Sequence, residues 1–457
     1  MPLSFADYLT TLRGVPVAVF GIGISNTPLL RLLAKAGARI TACDRKSRAQ
    51  LGALADELDA LGIDLRLGEE TWRSIEARRI YRTPGLRPDH PALRALVDNG
   101  ALLTSEMEDF LALCPSPVIG VTGSDGKTTT TTLIAHMLTE GGFTVHVGGN
   151  IGTPLLDKLP GIRPDHRTVV ELSSFQLMTL SQSPSTAIIT NITPNHLDVH
   201  TSLAEYIQAK ENIFRHQSAT GRLIVNADCP AAREAARHAP GQVSFFARTQ
   251  SLTDGYCLAD GWLTHRKNGV GHRLVSKDDI ALPGAHNIEN YLAACAAVDG
   301  QVSLRAMQTV AQTFQGVPHR LQYVATRRGV RYYNDSIASS PTRATAGLSC
   351  FANPVILIAG GSDKKIPFDA LAQPVSTHAK LVILNGDTAP ALADALSGTL
   401  APIYQVQTLE EAVALAAQKA QAGDTVLLSP ACPSFDQFLN FEDRGRRFME
   451  LVAALPE

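Results

Sequence analysis

Residues 118–133 read VIGVTGSDGKTTTTTL. An apolar run meets glycines at 120, 123 and 126, then a lysine and five threonines. Glycines let backbone N–H groups converge on an anion, and a following helix directs its positive end to the same point. Lys127 is placed to neutralise β- and γ-phosphates, and Thr128 Oγ to ligate Mg2+. The strict phosphate-loop pattern, GxxxxGK[ST], is met at Gly126-Lys127-Thr128, but Val121 stands where its first glycine belongs. A threonine-capped glycine turn is the plainer alternative. The order strand, loop, helix favours a nucleoside triphosphate, with Gly123, Ser124, Asp125, Gly126, Lys127, Thr128 and Thr129 about its phosphates.

Other candidates lie at the ends of apolar runs. VVELSSFQL carries Glu171, an acid that is costly at the end of a buried run unless it has a partner. TNITPNHLDVH carries Asn191, His196 and Asp198. Taken singly, Glu171 reads equally as a surface acid, and a lone histidine is more often structural than a ligand. Together and after a phosphate loop, Glu171 and His196 are candidates for a Mg2+ shell, which takes oxygen ligands and water. Lys210 in EYIQAKENIF reads, on spacing alone, as a solvated helical lysine. GIGISN at 21–26 is a weak dinucleotide fingerprint, because Asn26 replaces its last glycine.

These residues must be positioned by something, and the chain repeats strand, turn and helix. VPVAVFGIGISNTPLLRLLAKAGARITACD opens it as a strand, a glycine turn, an amphipathic helix and a strand ending at Asp44. A second series starts near Ser105, with PVIGVTG, TVVELSS, TAIITNI and RLIVNAD as strands. A third begins near Gly316, with VRYYNDS, PVILIAGGSD, KLVILNGD and DTVLLSPACPS, and LEEAVALAAQKAQAG is a helix closed by glycine. The pattern implies an α/β protein with mostly parallel sheets, whose ligands gather at the carboxyl ends of strands. At 457 residues the chain is long for one core. A net charge of −2 offers no basic surface for nucleic acid or anionic lipid. Seven scattered cysteines without a CxxC pair read as reduced thiols. The opening MPLSFADYLTTLRG lacks the apolar core of a signal peptide, and no run suffices to span a bilayer. A cytoplasmic protein with no nucleic-acid partner and no membrane insertion is expected.

Several segments in order resemble the Mur ligases: VTGSDGKTTTT, GGNIGTP, ELSSFQL, TNITPNHLD, AKENIF, LPGAHNIENYLAA, GVPHRLQYV, YYNDSIASSP and LLSPACPSFDQFLNFEDRG. The last, with GGSDKK, is most similar to the members that add glutamate. The resemblance spans the chain. It implies a Rossmann-like UDP-substrate domain over 1–104, a central phosphate-loop ATPase domain over 105–315 and a Rossmann-like amino-acid-binding domain over 316–457. It implies an ADP-forming amide ligase, expected as a monomer, that joins D-glutamate to UDP-N-acetylmuramoyl-L-alanine (UDP-MurNAc-L-Ala) in peptidoglycan precursor synthesis.

The resemblance also implies roles. Ile24, Ser25 and Asp44 with Arg45 or Lys46 would face the uridine. Thr83-Pro84-Gly85, Asn150 and His196 would approach the diphosphate sugar. Thr128, Glu171, His196 and a carbamylated Lys210 would hold Mg2+, two ions in all. Asn290, Arg320 and Asp335 would surround the nucleotide, with Lys127, His196, Lys210 and Arg320 acting in catalysis. Ser339, Lys364, Ser434 and Phe441 would hold the glutamate. Three positions depart from the family pattern: Asp125 stands in place of asparagine, and Ile337 and Ser339 in place of lysine and threonine.

The chemistry would pass the γ-phosphoryl of ATP to the alanyl carboxylate, giving an acyl phosphate that the amine of glutamate attacks. Positive charge lets the two anions approach, and domain closure would keep water from the acyl phosphate. His196 could alternatively take the amine's proton. The alternatives are a related ligase using L-glutamate, a folylpolyglutamate synthase, an NAD-dependent dehydrogenase read from GIGISN, and a non-catalytic nucleotide binder.

Overall fold

The strand runs are apolar on both faces, and such strands are stable only where both faces are covered. Val17–Phe20, Val118–Val121 and Ile356–Ile358 are accordingly almost wholly buried. The computed structural model describes residues 4–196, 199–282, 284–363 and 366–457. Among them three sheets form. The first runs through β1 (Pro16–Phe20), β2 (Arg39–Asp44), β3 (Asp64–Leu67), β4 (Arg79–Arg82) and β5 (Leu102–Thr104), in the order β3-β2-β1-β4-β5, all parallel.

The second comprises β6 (Val118–Thr122), β7 (Val145–Gly149), β8 (Arg167–Glu171), β9 (Thr186–Ile189), β10 (Arg222–Asn226), β11 (Gln242–Ala247), β12 (Gly255–Ala259), β13 (Trp262–Lys267) and β14 (Val270–Ser276). Its order is β14-β13-β12-β11-β10-β9-β6-β8-β7. The phosphate-loop strand β6 therefore lies inside the sheet, between β8 and β9. The third contains β15 (Gln322–Arg327), β16 (Val330–Asn334), β17 (Val355–Gly360), β18 (Ala379–Asn385), β19 (Ile403–Gln405) and β20 (Thr425–Leu428), in the order β15-β16-β20-β17-β18-β19.

The expected parallel strands are present, but β12–β14 and β15–β16 pair antiparallel. Their sequences are polar along one face, as suits a ribbon with a solvated side. The helix at LEEAVALAAQK ends at Lys419, before Gly423, so glycine does not cap it directly.

The chain folds as two compact units, Met1–Ile280 with His286–Gln312, and Ala281–Ala285 with Thr313–Glu457. The first holds the first two sheets around a shared apolar core. The helix Glu106–Leu113 connects them. Its buried Glu106 Oε1 accepts from the amides of Leu155 (2.9 Å) and Leu156 (2.7 Å), and Asp109 Oδ2 accepts from the hydroxyls of Tyr8 and Tyr81, both at 2.6 Å. Among the described residues no helix is long and apolar enough to cross a membrane.

Candidate active site

The turn after β6 leaves no room for side chains at two glycines. Gly123 has φ +154° and a Cβ there would run into Thr190 Oγ1. Gly126 has φ +79°, and its Cβ would meet Asn290 Oδ1. Gly126 opens the helix Lys127–Glu140, so its first N–H groups face the loop. Asn191 fixes the turn. Its carbonyl accepts from Ser124 N at 3.0 Å, and its side chain bonds Asp125 N at 2.9 Å and Asp125 O at 3.2 Å. The Asp125 side chain is exposed. Ser124 is turned to the scaffold, with its Oγ 2.9 Å from Thr193 O and from Tyr206 OH. Thr129 is buried. Asn290, expected near the nucleotide, lies buried behind the loop, its amide joined to Thr130 Oγ1 and Asn287 Oδ1.

The structure brings Thr128, Glu171 and Asn150 together. Glu171, 1% exposed at the end of β8, accepts from Thr128 Oγ1 and from Asn150 Nδ2, each at 2.7 Å. Gly149 (φ +97°) folds against the Glu171 carbonyl, where a Cβ would clash. Asn150 thus braces this carboxylate. Both donors, Thr128 and Asn150, are neutral, and a buried carboxylate so held keeps lone pairs of the kind a hard cation takes.

Lys210 is 1% exposed, contrary to a solvated lysine. Its Nζ donates to Gly123 O at 2.8 Å and lies 4.6 Å from the Tyr206 ring centroid. Lys127 Nζ donates to the same Gly123 O at 3.0 Å, and to Ser124 O at 2.9 Å. Burial, followed by the charge of Lys127, pushes the Lys210 amine well below the ordinary lysine value. His196 is exposed, with φ +55°, and its ring stands edge-on to Phe175 at 5.0 Å. Among the described residues no group of three or more His, Cys, Asp or Glu is gathered for a metal. The oxygens at hand for Mg2+ are those of Thr128 and Glu171, and a carbamate on Lys210 would add others of the kind Mg2+ prefers.

At the first sheet, Asp44 closes the ends of β1 and β2, its Oδ2 accepting from Ile22 N at 2.5 Å and Oδ1 from Lys46 N at 2.9 Å. Asn26 donates to Gly21 O at 2.9 Å, filling the place of the third fingerprint glycine. Ile24 is 83% exposed, Ser25 precedes the helix Asn26–Lys35, and Arg45 pairs with Glu69. Thr83 packs under Gly21, and Pro84 and Gly85 follow it in the turn after β4. Sequence reasoning missed the arginines flanking that turn. Arg82 is buried, and Arg87 bonds Asp89 and Glu205.

In the second unit, Asp335 is buried at the end of β16, accepting from Ser429 Oγ at 2.8 Å and Leu321 N at 3.2 Å. Burial pushes its carboxyl up to about 7, and the hydrogen bonds from Ser429 and Leu321, followed by the nearby charge of Arg320, pull it back in part. Ser339 follows in the loop beyond β16, its N–H bonded to Ile337 O at 2.8 Å. Ser434 is buried after β20, and Phe441 opens the last helix with its carbonyl 2.8 Å from Ser336 Oγ. Lys364 lies outside the described residues. The missed residue is Arg444, 3% exposed, which binds Ser336 Oγ and the carbonyls of Ser336, Gly360, Cys432 and Pro433. It ties together the loops that follow β16, β17 and β20. Its only sequence signal is an arginine in an otherwise apolar helix face.

Residues 121–298 match the Mur ligase middle domain, and residues 319–432 match the Mur ligase glutamate ligase domain. The chain belongs to the Mur ligase family, whose members are ligases that use ATP and Mg2+. It is 47% identical over 464 residues to the UDP-N-acetylmuramoylalanine–D-glutamate ligase of Acetivibrio thermocellus, covering the whole of both chains. It is 45% identical over 462 residues to the enzyme of the same name from Clostridium botulinum, again over both full lengths. The crystal structure of the UDP-N-acetylmuramate–alanine ligase MurC from Thermotoga maritima shares the fold, with a TM-score of 0.60 and 21% identity over 96% of this chain and 99% of that one. A pseudomurein peptide ligase type C from Methanothermus fervidus does so at 0.54 and 21%, over 96% and 99%.

Proposed function

We propose that this chain joins D-glutamate to the alanyl carboxylate of UDP-MurNAc-L-Ala, releasing ADP and phosphate, as a cytoplasmic monomer supplying peptidoglycan synthesis. The observation that carries the reading is the cluster of Lys127, Thr128, Glu171 and Lys210 around one glycine turn, in a chain 47% identical from end to end to a ligase of that name. In this reading residues 1–104 take the UDP moiety, 105–315 take ATP and 316–457 take glutamate.

The alanyl carboxylate oxygen attacks the γ-phosphorus, and the bond to the β-phosphate oxygen breaks to release ADP. The glutamate amine then adds to the acyl carbon, loses a proton, and phosphate departs as the C–O bond breaks. Lys127 exchanges its two loop carbonyls for phosphate oxygens. Arg320 follows the transferring group, and Asn290 holds the loop from behind. Thr128, Glu171, His196 and a carbamylated Lys210 would hold two Mg2+ ions. Bound there, Mg2+ would neutralise charge that otherwise keeps two anions apart.

The carbamate is supported by two facts. Only a neutral amine reacts with carbon dioxide, and burial holds Lys210 below the ordinary lysine value. Two ammonium groups on Gly123 O repel, whereas a carbamate beside Lys127 attracts it. Lys364 takes one glutamate carboxylate, and Ser339, Ser434 and the backbone near Phe441 take the other.

The test is phosphate release with UDP-MurNAc-L-Ala and ATP, comparing D-glutamate, L-glutamate, lysine and other amino acids. D-Glutamate is expected to be preferred. Absence of release, or preference for L-glutamate or lysine, overturns the assignment.

A further inference from the structure

The turn Thr83-Pro84-Gly85 is flanked by two arginines, and both reach out of the first sheet. Arg82 ends β4 and is 2% exposed. Its Nη1 sits inside the turn, donating to the carbonyls of Leu86 (2.7 Å), Pro84 (3.2 Å) and Thr83 (3.4 Å). Its Nη2 donates to Phe175 O at 2.8 Å and Thr179 Oγ1 at 3.2 Å. Phe175 lies four residues after Glu171, and its ring contacts His196 edge-on at 5.0 Å and stacks on His200 at 5.4 Å.

Arg87 follows the same turn. Asp89 holds one edge of its guanidinium, Nε and Nη2 each donating at 2.9 Å. The other edge is thereby aimed at Val199 O (2.5 Å) and at Glu205 (2.9 and 3.1 Å). Val199 N and His200 N in turn donate to His196 O, at 3.1 and 2.9 Å. Both arms leaving the turn thus arrive at the backbone or ring that positions His196. That residue holds φ +55°, a conformation that persists in a residue with a side chain only where surroundings impose it.

Packing alone does not account for these arginines. Among the described residues Arg82 has carbonyls and one hydroxyl as partners and no carboxylate, and its Nε has no hydrogen-bond partner. A buried cation of this kind is costly to desolvate, a cost that an apolar side chain filling the same volume would not carry. What an apolar residue cannot do is join the turn to Phe175.

We infer that Arg82 and Arg87 form a two-armed brace through which the state of the 83–86 turn sets the position of His196, so that nucleotide-sugar binding and nucleotide binding are coupled. Both are positioning residues. The inference rests on the functional reading above, in which this turn meets the diphosphate sugar.

The affinity of the full-length chain for Mg2+ with a non-hydrolysable ATP analogue is measured with and without saturating UDP-MurNAc-L-Ala. The wild-type chain is expected to bind the analogue at least about 5-fold more tightly with the sugar nucleotide present, within the usual range of coupling between sites. Arg87→Ala should bring that factor close to one, while each ligand alone binds within about 3-fold of wild type. In turnover it should lower kcat more than it raises KM for the sugar nucleotide. Arg87→Lys, which keeps one donor toward Val199 O, should recover part of the factor. Arg82→Met should behave as Arg87→Ala, and Arg87 alone decides if that variant does not fold. A wild-type chain without coupling, or an Arg87→Ala chain that keeps it, overturns the brace. A wild-type chain that does not bind UDP-MurNAc-L-Ala overturns the functional reading, and the brace with it.

Discussion

Replacing Lys210 by methionine should separate activity from stability. The side chain is fully enclosed, and methionine fills a similar volume. Two hydrogen bonds are lost, but neither partner is orphaned. Gly123 O keeps Lys127 Nζ at 3.0 Å, and Thr122 Oγ1 still donates to Leu172 O at 2.7 Å. The usual cost of an unsatisfied buried group, about 1–3 kcal/mol, is therefore avoided. Removing an amine that burial already disfavours in its charged form acts in the opposite direction. Lys210→Met should unfold no more than about 1 kcal/mol below wild type, and above it where the wild type is uncarbamylated. Turnover is another matter. Loss of an anionic oxygen ligand from a phosphoryl-transfer centre should lower kcat by about 100-fold or more. Phosphate release and chemical denaturation measure the two quantities. Labelling with 13C-bicarbonate should give a carbamate signal that vanishes in the variant, and acetate should partly restore Lys210→Ala. A kcat within about 3-fold of wild type would refute the reasoning.

Glu106 is held up at about 7, mainly by burial, with Asp157 and Asp109 adding to it and the amides of Leu156 and Leu155 opposing it. A raised carboxyl leaves stability intact below its unfolded value near 4.5 and lowers it as pH rises toward 7. Glu106→Gln, whose amide oxygen still accepts both N–H groups, should match wild type at pH 4 and gain up to about 3 kcal/mol by pH 8; equal gains at both pH values would contradict this. Arg444→Met leaves the carbonyls of Ser336 and Cys432 without that donor and should cost about 3 kcal/mol by denaturant titration, with a loss under about 1 kcal/mol counting against the assigned role. Gly126→Ala meets both φ +79° and Asn290, so its affinity for ATP should fall at least about 10-fold, as read by nucleotide titration. Lys127→Ala should lower ADP formation by about 100-fold or more with an unchanged far-ultraviolet spectrum.

The phosphate loop and the strand ends were legible because each announces itself locally. Glycines at 123 and 126 precede a lysine, and apolar runs stop at Glu171, Asn191 and Asp335. The antiparallel ribbon of β12–β14 escaped notice because its strands are half polar. Arg82, Arg87 and Arg444 escaped for another reason. Each has a partner far along the chain, 93, 118 and 108 residues away, and for Arg82 and Arg444 most partners are backbone carbonyls, which no side-chain motif encodes. Lys210 shows the same blindness in reverse: helical spacing gives it an ordinary place, and only the packing of Tyr206 and the glycine turn around it reveals its burial. Asn290 was legible as a motif residue, while its position behind Gly126 was not.

Arg82 and Arg444 are ions dissolved in the main chain. Among the described residues neither hydrogen-bonds a carboxylate, and carbonyl oxygens replace water around each. Because carbonyls belong to every residue type, these ties, apart from those to Thr179 and Ser336, are indifferent to which side chains the surrounding loops carry. Drift can rewrite those loops, provided their course is kept, and the cation still finds its solvent. The arginine itself has no such freedom, since no shorter or singly headed cation spans several loops at once. Each tie is therefore lopsided, one demanding side chain against a chemically permissive stretch. Transplanting either loop cluster into another scaffold would require carrying the arginine along and little else of the wording around it.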